Sequence, residues 1–311
     1  MMKDLVIISG PTGVGKSKAS IELCKKIGGS VISADSMQVY RGMDIGTAKI
    51  THEEMEGIPH YLIDVCDPSD DFNIVTFKQM ATGAIEDITS SGRIPVIVGG
   101  TGFYIQSVLY DIDFSIADEL TQYREYLYEL LDEKGSEHVH QLLEAVDPVA
   151  AKKIHKNDHK RVIRALEYYR QTGDMISDHN SKSMENNSPY NFCYFFLNDD
   201  RDVIYDRINR RVDKMMDNGL VDEVRRLTAD GLTKEHVSMH GIGYKEIIDY
   251  LEGNCTLDEA TDMIKKQSRH YAKRQITWAR RTDDVIFIDI NDGDIIDNMC
   301  KELTRKGIIH G

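Results

Sequence analysis

The residues with the clearest chemistry stand near the start of the 311-residue chain. Gly10-Pro11-Thr12-Gly13-Val14-Gly15-Lys16-Ser17 follows the spacing G-x-x-x-x-G-K-[ST], with an apolar run, Leu5–Ser9, before it and a helix-like segment, Lys16–Ile27, after it. In that setting glycines let successive N–H groups and a helix N-terminus close on phosphate oxygens. Lys16 supplies a point charge to a diphosphate or triphosphate, and the Ser17 hydroxyl is the expected Mg²⁺ contact. Such a loop specifies phosphate, but not the reaction.

A second group could complete the chemistry. Asp35 follows the apolar run Ser30–Ala34, and ligands in open parallel sheets lie at the carboxyl ends of strands. There a carboxylate could bind Mg²⁺ or take a proton from an attacking group. It could equally cap the turn that follows, and position alone does not choose. Arg207 and Arg211 lie one helical turn apart. They are candidates for a cationic clamp on the phosphates, or else surface arginines.

The elements that must position these groups fall into three stretches. In the first hundred residues the apolar runs Leu5–Ser9, Ser30–Ala34, Tyr61–Val65 and Ile94–Val98 alternate with the helical lengths Lys16–Ile27 and Phe72–Thr89. Strands alternating with helices predict an α/β fold with a parallel sheet. From Glu119 to Gly173 the pattern is helical, with Tyr123, Tyr126, Leu127, Leu130 and Leu131 at spacings of three and four. Ser177–Pro189 is a polar linker, and Tyr190–Leu197 returns to strand character. The last third reads as helices over Asp202–Asp217, Leu220–Ala229, Tyr244–Leu251 and Leu257–Arg281, closed by a strand over Asp284–Ile290. The division expected is a core of residues 1–118 and 187–311, interrupted by an all-helical insertion, 119–186.

Composition sets the remaining bounds. A 41% hydrophobic and 29% charged chain is ordinary for a globular protein. No apolar run approaches the roughly 20 residues needed to cross a membrane. The first residues pass directly into a strand and the glycine loop without a signal-peptide pattern, so a cytoplasmic location is expected. The five cysteines are scattered, with no Cys-x-x-Cys, which argues against a disulfide framework or a zinc site.

The formal net charge of −14 taken alone argues against a nucleic-acid partner. Local charge says otherwise. Between Lys152 and Arg170, seven Lys or Arg residues oppose only Asp158 and Glu167. Between Met263 and Arg281 there are seven more and no acid. On one helix Lys266, Arg269, Lys273 and Arg280 share a stripe, while Ile264, Tyr271 and Trp278 share another. Two acid-poor runs in an acidic chain fit a surface that tracks phosphates better than merely solvated faces. Trp278, the single tryptophan, could stack on a base or pack inside.

The glycine loop followed by Ala34-Asp35-Ser36-Met37-Gln38-Val39-Tyr40-Arg41-Gly42-Met43-Asp44-Ile45-Gly46-Thr47-Ala48-Lys49 resembles the tRNA dimethylallyltransferases. Val98–Tyr104, Asn157–Glu167, His240–Lys245 and Lys273–Arg280 resemble that family's later blocks, in the same order and over nearly the whole chain. The resemblance implies a P-loop core with a helical insertion. It further implies transfer of a dimethylallyl group from dimethylallyl diphosphate to N6 of the adenosine following the anticodon, in tRNAs reading codons that begin with U.

Residue by residue, the resemblance places Gly10, Pro11, Thr12, Gly13, Val14, Gly15, Lys16 and Ser17 on the diphosphate. Asp35 becomes the general base. Ser36, Met37 and Gln38 face the target base, and Thr101 contacts the tRNA near it. Lys160, Arg161 and Arg164, with Tyr123, belong to the block pressed against the anticodon stem-loop. His240, Gly241, Ile242, Gly243, Tyr244 and Lys245, and Lys273, Arg274, Gln275, Trp278 and Arg280, complete the tRNA surface. Lys160 stands where the family often has Gln, and Ala279 where a bulkier residue is common. Mg²⁺ is the implied cofactor and a monomer the expected state.

Three other readings remain open at this point: a P-loop kinase of a small molecule, an RNA-binding module with a vestigial nucleotide site, and transfer to a free adenine nucleotide. The helical insertion and the two basic runs favour tRNA over a free nucleotide, because a small acceptor needs no extended cationic surface.

Overall fold

The computed structural model describes residues 2–110, 121–179 and 188–310. Its chain divides into two compact units, Met1–Val108 with Pro189–Gly311, and Leu109–Ser188. The junctions expected at 118/119 and 186/187 fall outside the described residues, as does most of the linker Ser177–Pro189.

The larger unit is built on a six-stranded sheet: β1 (Lys3–Ser9), β2 (Gly29–Ser33), β3 (His60–Tyr61), β4 (Ile94–Gly99), β5 (Tyr190–Asn198) and β6 (Val285–Asp289). Their order is β3-β2-β4-β1-β5-β6 and every pairing is parallel. β1, β2 and β4 are apolar without alternation and almost fully buried, as expected for a parallel sheet covered on both faces. Helix α1 (Lys16–Ile27) buries Ala19, Ile21, Leu23 and Cys24 against it. Helix α2 (Ile74–Ser90) starts where Asn73 Oδ1 accepts from the N–H groups of Val75 and Thr76, two residues later than the pattern predicted.

Two departures from the sequence reading have local causes. The run Tyr61–Val65 yields only a two-residue strand, because Leu62 and Asp64 adopt left-handed backbone (φ 63° and 55°) and turn the chain out of the sheet. Among the described residues the helices not anticipated include α3 (Gly102–Leu109), a helical turn over 176–179 at the start of the expected linker, a 3₁₀ turn over Val237–His240, and a C-terminal helix over Ile295–Arg305, whose Ile296, Met299 and Leu303 join the sheet core.

The smaller unit contains α4 (Thr121–Val146, interrupted at Gly135), α5 (Pro148–Lys153) and α6 (His159–Thr172). They pack around Leu127, Val139, Leu143, Val162, Ile163 and Leu166. Because α6 buries that stripe, Lys160, Arg161 and Arg164 are left exposed on its other side. The larger unit also carries α7 (Arg201–Asp217), α8 (Leu220–Ala229), α9 (Tyr244–Leu251) and α10 (Leu257–Ala279). The last of these ends two residues short of the predicted Arg281. Among the described residues no helix is long and apolar enough to cross a membrane.

Candidate active site

The segments after β1, β2, β4 and β5 meet at the carboxyl edge of the sheet, where a parallel sheet places its ligands. The glycine loop leaves β1 and ends at Gly15, whose left-handed backbone (φ 100°) turns the chain into α1. A side chain there would strain the turn. Lys16 folds back, and its Nζ donates to the carbonyls of Gly10 (2.9 Å) and Pro11 (3.1 Å). Burial and the nearby Arg211 lower its pKa to about 8, with Asp35 opposing the shift. Ser17, on the first turn of α1, is exposed on the wall of the same chamber.

Asp35 lies just beyond β2. Its Oδ1 accepts from the N–H groups of Met37 (2.9 Å) and Gln38 (3.3 Å). The turn-capping reading is therefore physically present, yet the same carboxylate borders two chambers. One is lined by Thr12, Gly13, Gly15, Lys16, Ser17, Gly100 and Arg211 and is rich in cations and backbone N–H groups. The other is amphipathic, with Met37, Ile208, Val212, Met215, Ile242 and Ile264 beside Ser36, His240, Lys245 and Arg274. Thr12, Asp35, Arg211 and Tyr271 belong to both. A group at this shared wall reaches an anion on one side and an acceptor on the other.

The two arginines have separate fates. Arg211 Nη1 donates to Thr12 Oγ1 (3.2 Å) and Nη2 to the Thr47 carbonyl (3.2 Å). Burial lowers its pKa, with Asp35 opposing. It is a cation without a carboxylate ion pair among the described residues, aimed at the phosphate chamber. Arg207 is instead paired at 2.8 Å with Asp199, a side chain 2% exposed just past β5. Of the two, the structure leaves Arg211 available to a phosphate.

The remaining expected residues sort by where their polar atoms point. Thr101 follows β4, its N–H donating to the Ala34 carbonyl (3.3 Å). Its hydroxyl is beside the Tyr271 phenol, which burial and Asp35 push up to about 12 against the hydrogen bond from Thr101. Gln38 Nε2 reaches the Thr47 and Ala48 carbonyls (3.4 and 3.5 Å). Gly241 sits against Met37. His240 is exposed and held by the Lys234 carbonyl (2.9 Å). Gly243 donates to Glu246 Oε2 (2.8 Å), and exposed Lys245 lies 3.6 Å from Glu246.

Three residues expected on the tRNA surface are turned inward. Gln275 is buried, accepting from Thr12 N–H and donating to the Gly100 carbonyl. Tyr244 is fully buried and donates to Glu223 (2.7 Å). Trp278 packs on the start of α3, with Phe103 edge-on at 6.3 Å and no room for a Cβ on Gly102. Its ring is half-buried in that contact.

Exposed cations remain on both units. Lys273, Arg274 and Arg280 are exposed at the end of α10, with Arg274 over the Tyr271 ring. Lys266 is exposed, but Arg269 is taken up by Asn209 (2.6 Å). On α6, Lys160 and Arg164 are exposed without an ion pair among the described residues, whereas Arg161 lies 3.5 Å from Asp158. Tyr123 stacks on Tyr126 at 6.1 Å, with Arg170 over its ring.

The sequence reading missed Glu223, a buried carboxylate beneath the site. A signal existed. Leu220, Val224 and Leu227 form the apolar stripe of α8, and Glu223 stands within it, where a charge needs partners.

Groups of three or more His, Cys, Asp or Glu able to hold a metal are absent among the described residues. The donor set fits Mg²⁺ bound in the manner of phosphate sites, through one protein oxygen, phosphate oxygens and water. The exposed Ser17 hydroxyl, which lines the phosphate chamber, would supply that oxygen.

Comparison with known proteins accords with this geometry. The IPP transferase family model matches residues 38–282, and an isopentenyl transferase model matches 3–69. A tRNA dimethylallyltransferase of Lachnoclostridium phytofermentans is 54% identical over 99% of this chain and 100% of its own. The crystal structure of the tRNA isopentenylpyrophosphate transferase of Bacillus halodurans is 45% identical, with 98% of each chain covered and a TM-score of 0.74. A eukaryotic dimethylallyltransferase acting on tRNA is 30% identical, with 98% of this chain and 79% of that one covered and a TM-score of 0.83. Matched by that family model over most of its length and 54% identical to a relative that it spans in full, the chain belongs to the IPP transferase family, that of the tRNA dimethylallyltransferases.

Proposed function

We propose that this enzyme transfers a dimethylallyl group from dimethylallyl diphosphate to N6 of the adenosine following the anticodon, in tRNAs reading codons that begin with U. The observation that carries the reading is the position of Asp35 on the wall shared by the phosphate chamber and the amphipathic chamber.

In this reading the diphosphate lies against Lys16, Arg211 and the loop N–H groups. The target base enters from the side of Ser36, Met37 and Ile242. The N6 lone pair forms a bond to C1 of the dimethylallyl group as the C1–O bond breaks. The bonding pair leaves with diphosphate, whose growing charge Lys16 and Arg211 stabilise. Asp35 accepts the N6 proton, and its hydrogen bonds from Met37 and Gln38 hold the carboxylate in place for that transfer. Thr101 and Tyr271 orient the base beside it. Mg²⁺, held by Ser17 and phosphate oxygens, would add Lewis-acid stabilisation of the leaving group.

The tRNA is the proposed macromolecular partner. Lys273, Arg274, Arg280, Lys245 and His240 on the larger unit, and Lys160, Arg161, Arg164 and Tyr123 on the smaller, are the proposed contacts to the anticodon stem-loop. The exposure of most of these cations supports that assignment. A cytoplasmic monomer is the state proposed for the working enzyme.

The test is a mass shift. Purified protein, Mg²⁺, dimethylallyl diphosphate and unmodified tRNA should yield, after digestion, adenosine heavier by one dimethylallyl group. Product on free adenine nucleotides but not on tRNA would overturn the acceptor, and transfer of phosphate from ATP would overturn the reaction.

A further inference from the structure

The loop following Met43 has no regular structure, yet it carries the carbonyl that holds Arg211. Its anchor is Glu223 of α8. Glu223 Oε2 accepts from the N–H groups of Asp44 (2.9 Å) and Ile45 (2.8 Å), and Oε1 from Gly46 N–H (3.0 Å) and the Tyr244 hydroxyl (2.7 Å). Four donors on two oxygens use the group purely as an acceptor, as an ionised carboxylate is. Three successive N–H groups converging on one anion form a backbone nest. Here the anion comes from the protein itself.

The anchor is also sterically fixed. A Cβ on Gly46 would lie 2.6 Å from the Tyr244 ring, so the loop lies directly on that ring. One residue on, the Thr47 carbonyl accepts Arg211 Nη2, and Arg211 Nη1 reaches Thr12 of the phosphate loop. The chain of contacts runs from Glu223 through residues 44–46 to Thr47, then Arg211, then the diphosphate chamber. An arginine side chain has many rotamers, and orienting one at a binding site lowers the cost of ordering it when ligand arrives.

We propose that Glu223 is a positioning residue for the donor diphosphate: it holds the 44–47 loop so that the Thr47 carbonyl aims the Arg211 guanidinium into the phosphate chamber. The proposal rests on the assignment of that chamber to diphosphate.

The test uses the full chain with Mg²⁺ and inorganic pyrophosphate as the probe, beside steady-state kinetics. Glu223→Gln keeps the shape but sets an amide NH₂ against backbone donors. It should weaken pyrophosphate binding about tenfold, as expected for a misplaced charge-assisted contact, and raise KM for dimethylallyl diphosphate while tRNA affinity holds. On top of Arg211→Ala it should add less than about twofold, because both changes remove one interaction. Tyr244→Phe, which deletes a single donor, should shift binding the same way by less. Parental pyrophosphate affinity in Glu223→Gln, or losses that multiply in the double variant, would overturn the positioning role alone. If Glu223→Gln does not fold, Tyr244→Phe decides, and unchanged pyrophosphate affinity in it overturns the role. A parental protein that does not bind pyrophosphate would overturn both this role and the diphosphate site.

Discussion

Gln275 Oε1 accepts the Thr12 N–H at 2.9 Å, tying the helix that carries the C-terminal basic residues to the phosphate loop. The other end of the same amide donates to the Gly100 carbonyl at 3.0 Å. A buried amide satisfied at both ends is a rigid link between α10, the loop after β1 and the loop after β4. Lys273 and Arg274 stand next to it on the exposed side of that helix. Gln275→Ala should leave the Thr12 N–H unpaired and the Gly100 carbonyl with only the Tyr271 hydroxyl at 3.5 Å, destabilising the protein by about 1–3 kcal/mol and weakening pyrophosphate binding. Thermal unfolding with and without pyrophosphate checks this. A variant with parental stability and parental affinity would show that the link positions nothing.

Asp35 both caps its own turn and borders both chambers, so the choice of substitution matters. Asp35→Asn can keep an acceptor for the Met37 and Gln38 N–H groups but cannot take up a proton. Turnover should fall on the order of 10²–10⁴-fold, the usual scale of general-base catalysis, while tRNA affinity stays within about twofold of the parent. Single-turnover rates and a filter-binding titration give the two numbers. Turnover near the parental rate would remove Asp35 from the base role. Asp35→Ala should lose turnover as well, but with added disorder in the Met37–Gln38 turn.

How far the site could be read from sequence depended on whether a residue's role is set by its neighbours in the chain. The phosphate loop, its strand and its helix are contiguous, so motif and context agreed before any coordinates. Asp35 stands two residues beyond the end of β2, a position that marks it as a candidate without choosing between base and turn cap. Only the family resemblance of their blocks puts Gln275 and Tyr244 among the tRNA contacts. The structure turns both inward, since their partners, Thr12 and Glu223, lie 263 and 21 residues away. The short β3 was over-read because an apolar run does not reveal the left-handed backbone at Leu62 and Asp64. Arg207 and Arg211 could not be ranked by spacing, because Asp199, which takes Arg207, belongs to a different element.

That division predicts opposite phenotypes for the two arginines. Arg211→Ala removes a half-buried cation from the phosphate chamber and should weaken pyrophosphate binding by about 10–100-fold, the range for a hydrogen bond to a charged group, with little change in unfolding temperature. Arg207→Ala strips the buried Asp199 of its ion pair and should lower stability by about 1–3 kcal/mol, with a smaller effect on binding. Calorimetric titration and denaturant unfolding of both variants form the test. Identical profiles would contradict the assignment.

Lys16 gives the donor site a pH dependence whose sign follows from its surroundings. Burial and Arg211 lower its pKa from 10.5 to about 8 in the free protein. Below that value the ammonium is present and meets a diphosphate directly. Above it, binding must first take up a proton, so pyrophosphate affinity should fall as pH rises from 8 towards 10, by up to about tenfold per unit. Stability moves the other way. Between about 8 and 10.5 the unfolded chain holds the proton that the folded one has lost, so the contribution of this group to stability rises with pH. Lys16→Arg should flatten the binding profile, because a guanidinium stays charged throughout. Titrations at several pH values, each in two buffers of different ionisation enthalpy, would reveal proton uptake. Affinity constant from pH 7 to 9.5 would refute a lowered Lys16.

The cations on the two units should act through salt rather than through chemistry. Lys273 and Arg280 are exposed at the end of α10, and Lys160 and Arg164 on α6. Each phosphate contact to a folded RNA releases condensed counterions, so removing two should reduce the slope of log affinity against log salt by roughly one to two. Lys273→Ala with Arg280→Ala should therefore weaken tRNA binding most at low salt, leaving pyrophosphate affinity and the turnover of saturating tRNA close to parental. Lys160→Ala with Arg164→Ala should do the same if the helical unit also grips the stem-loop. A pair that leaves the slope unchanged does not touch phosphate. Because the chain carries a net charge of −14, such a result for both pairs would leave the exposed Lys245, Arg274 and Arg161 as the cations that must hold the polyanion.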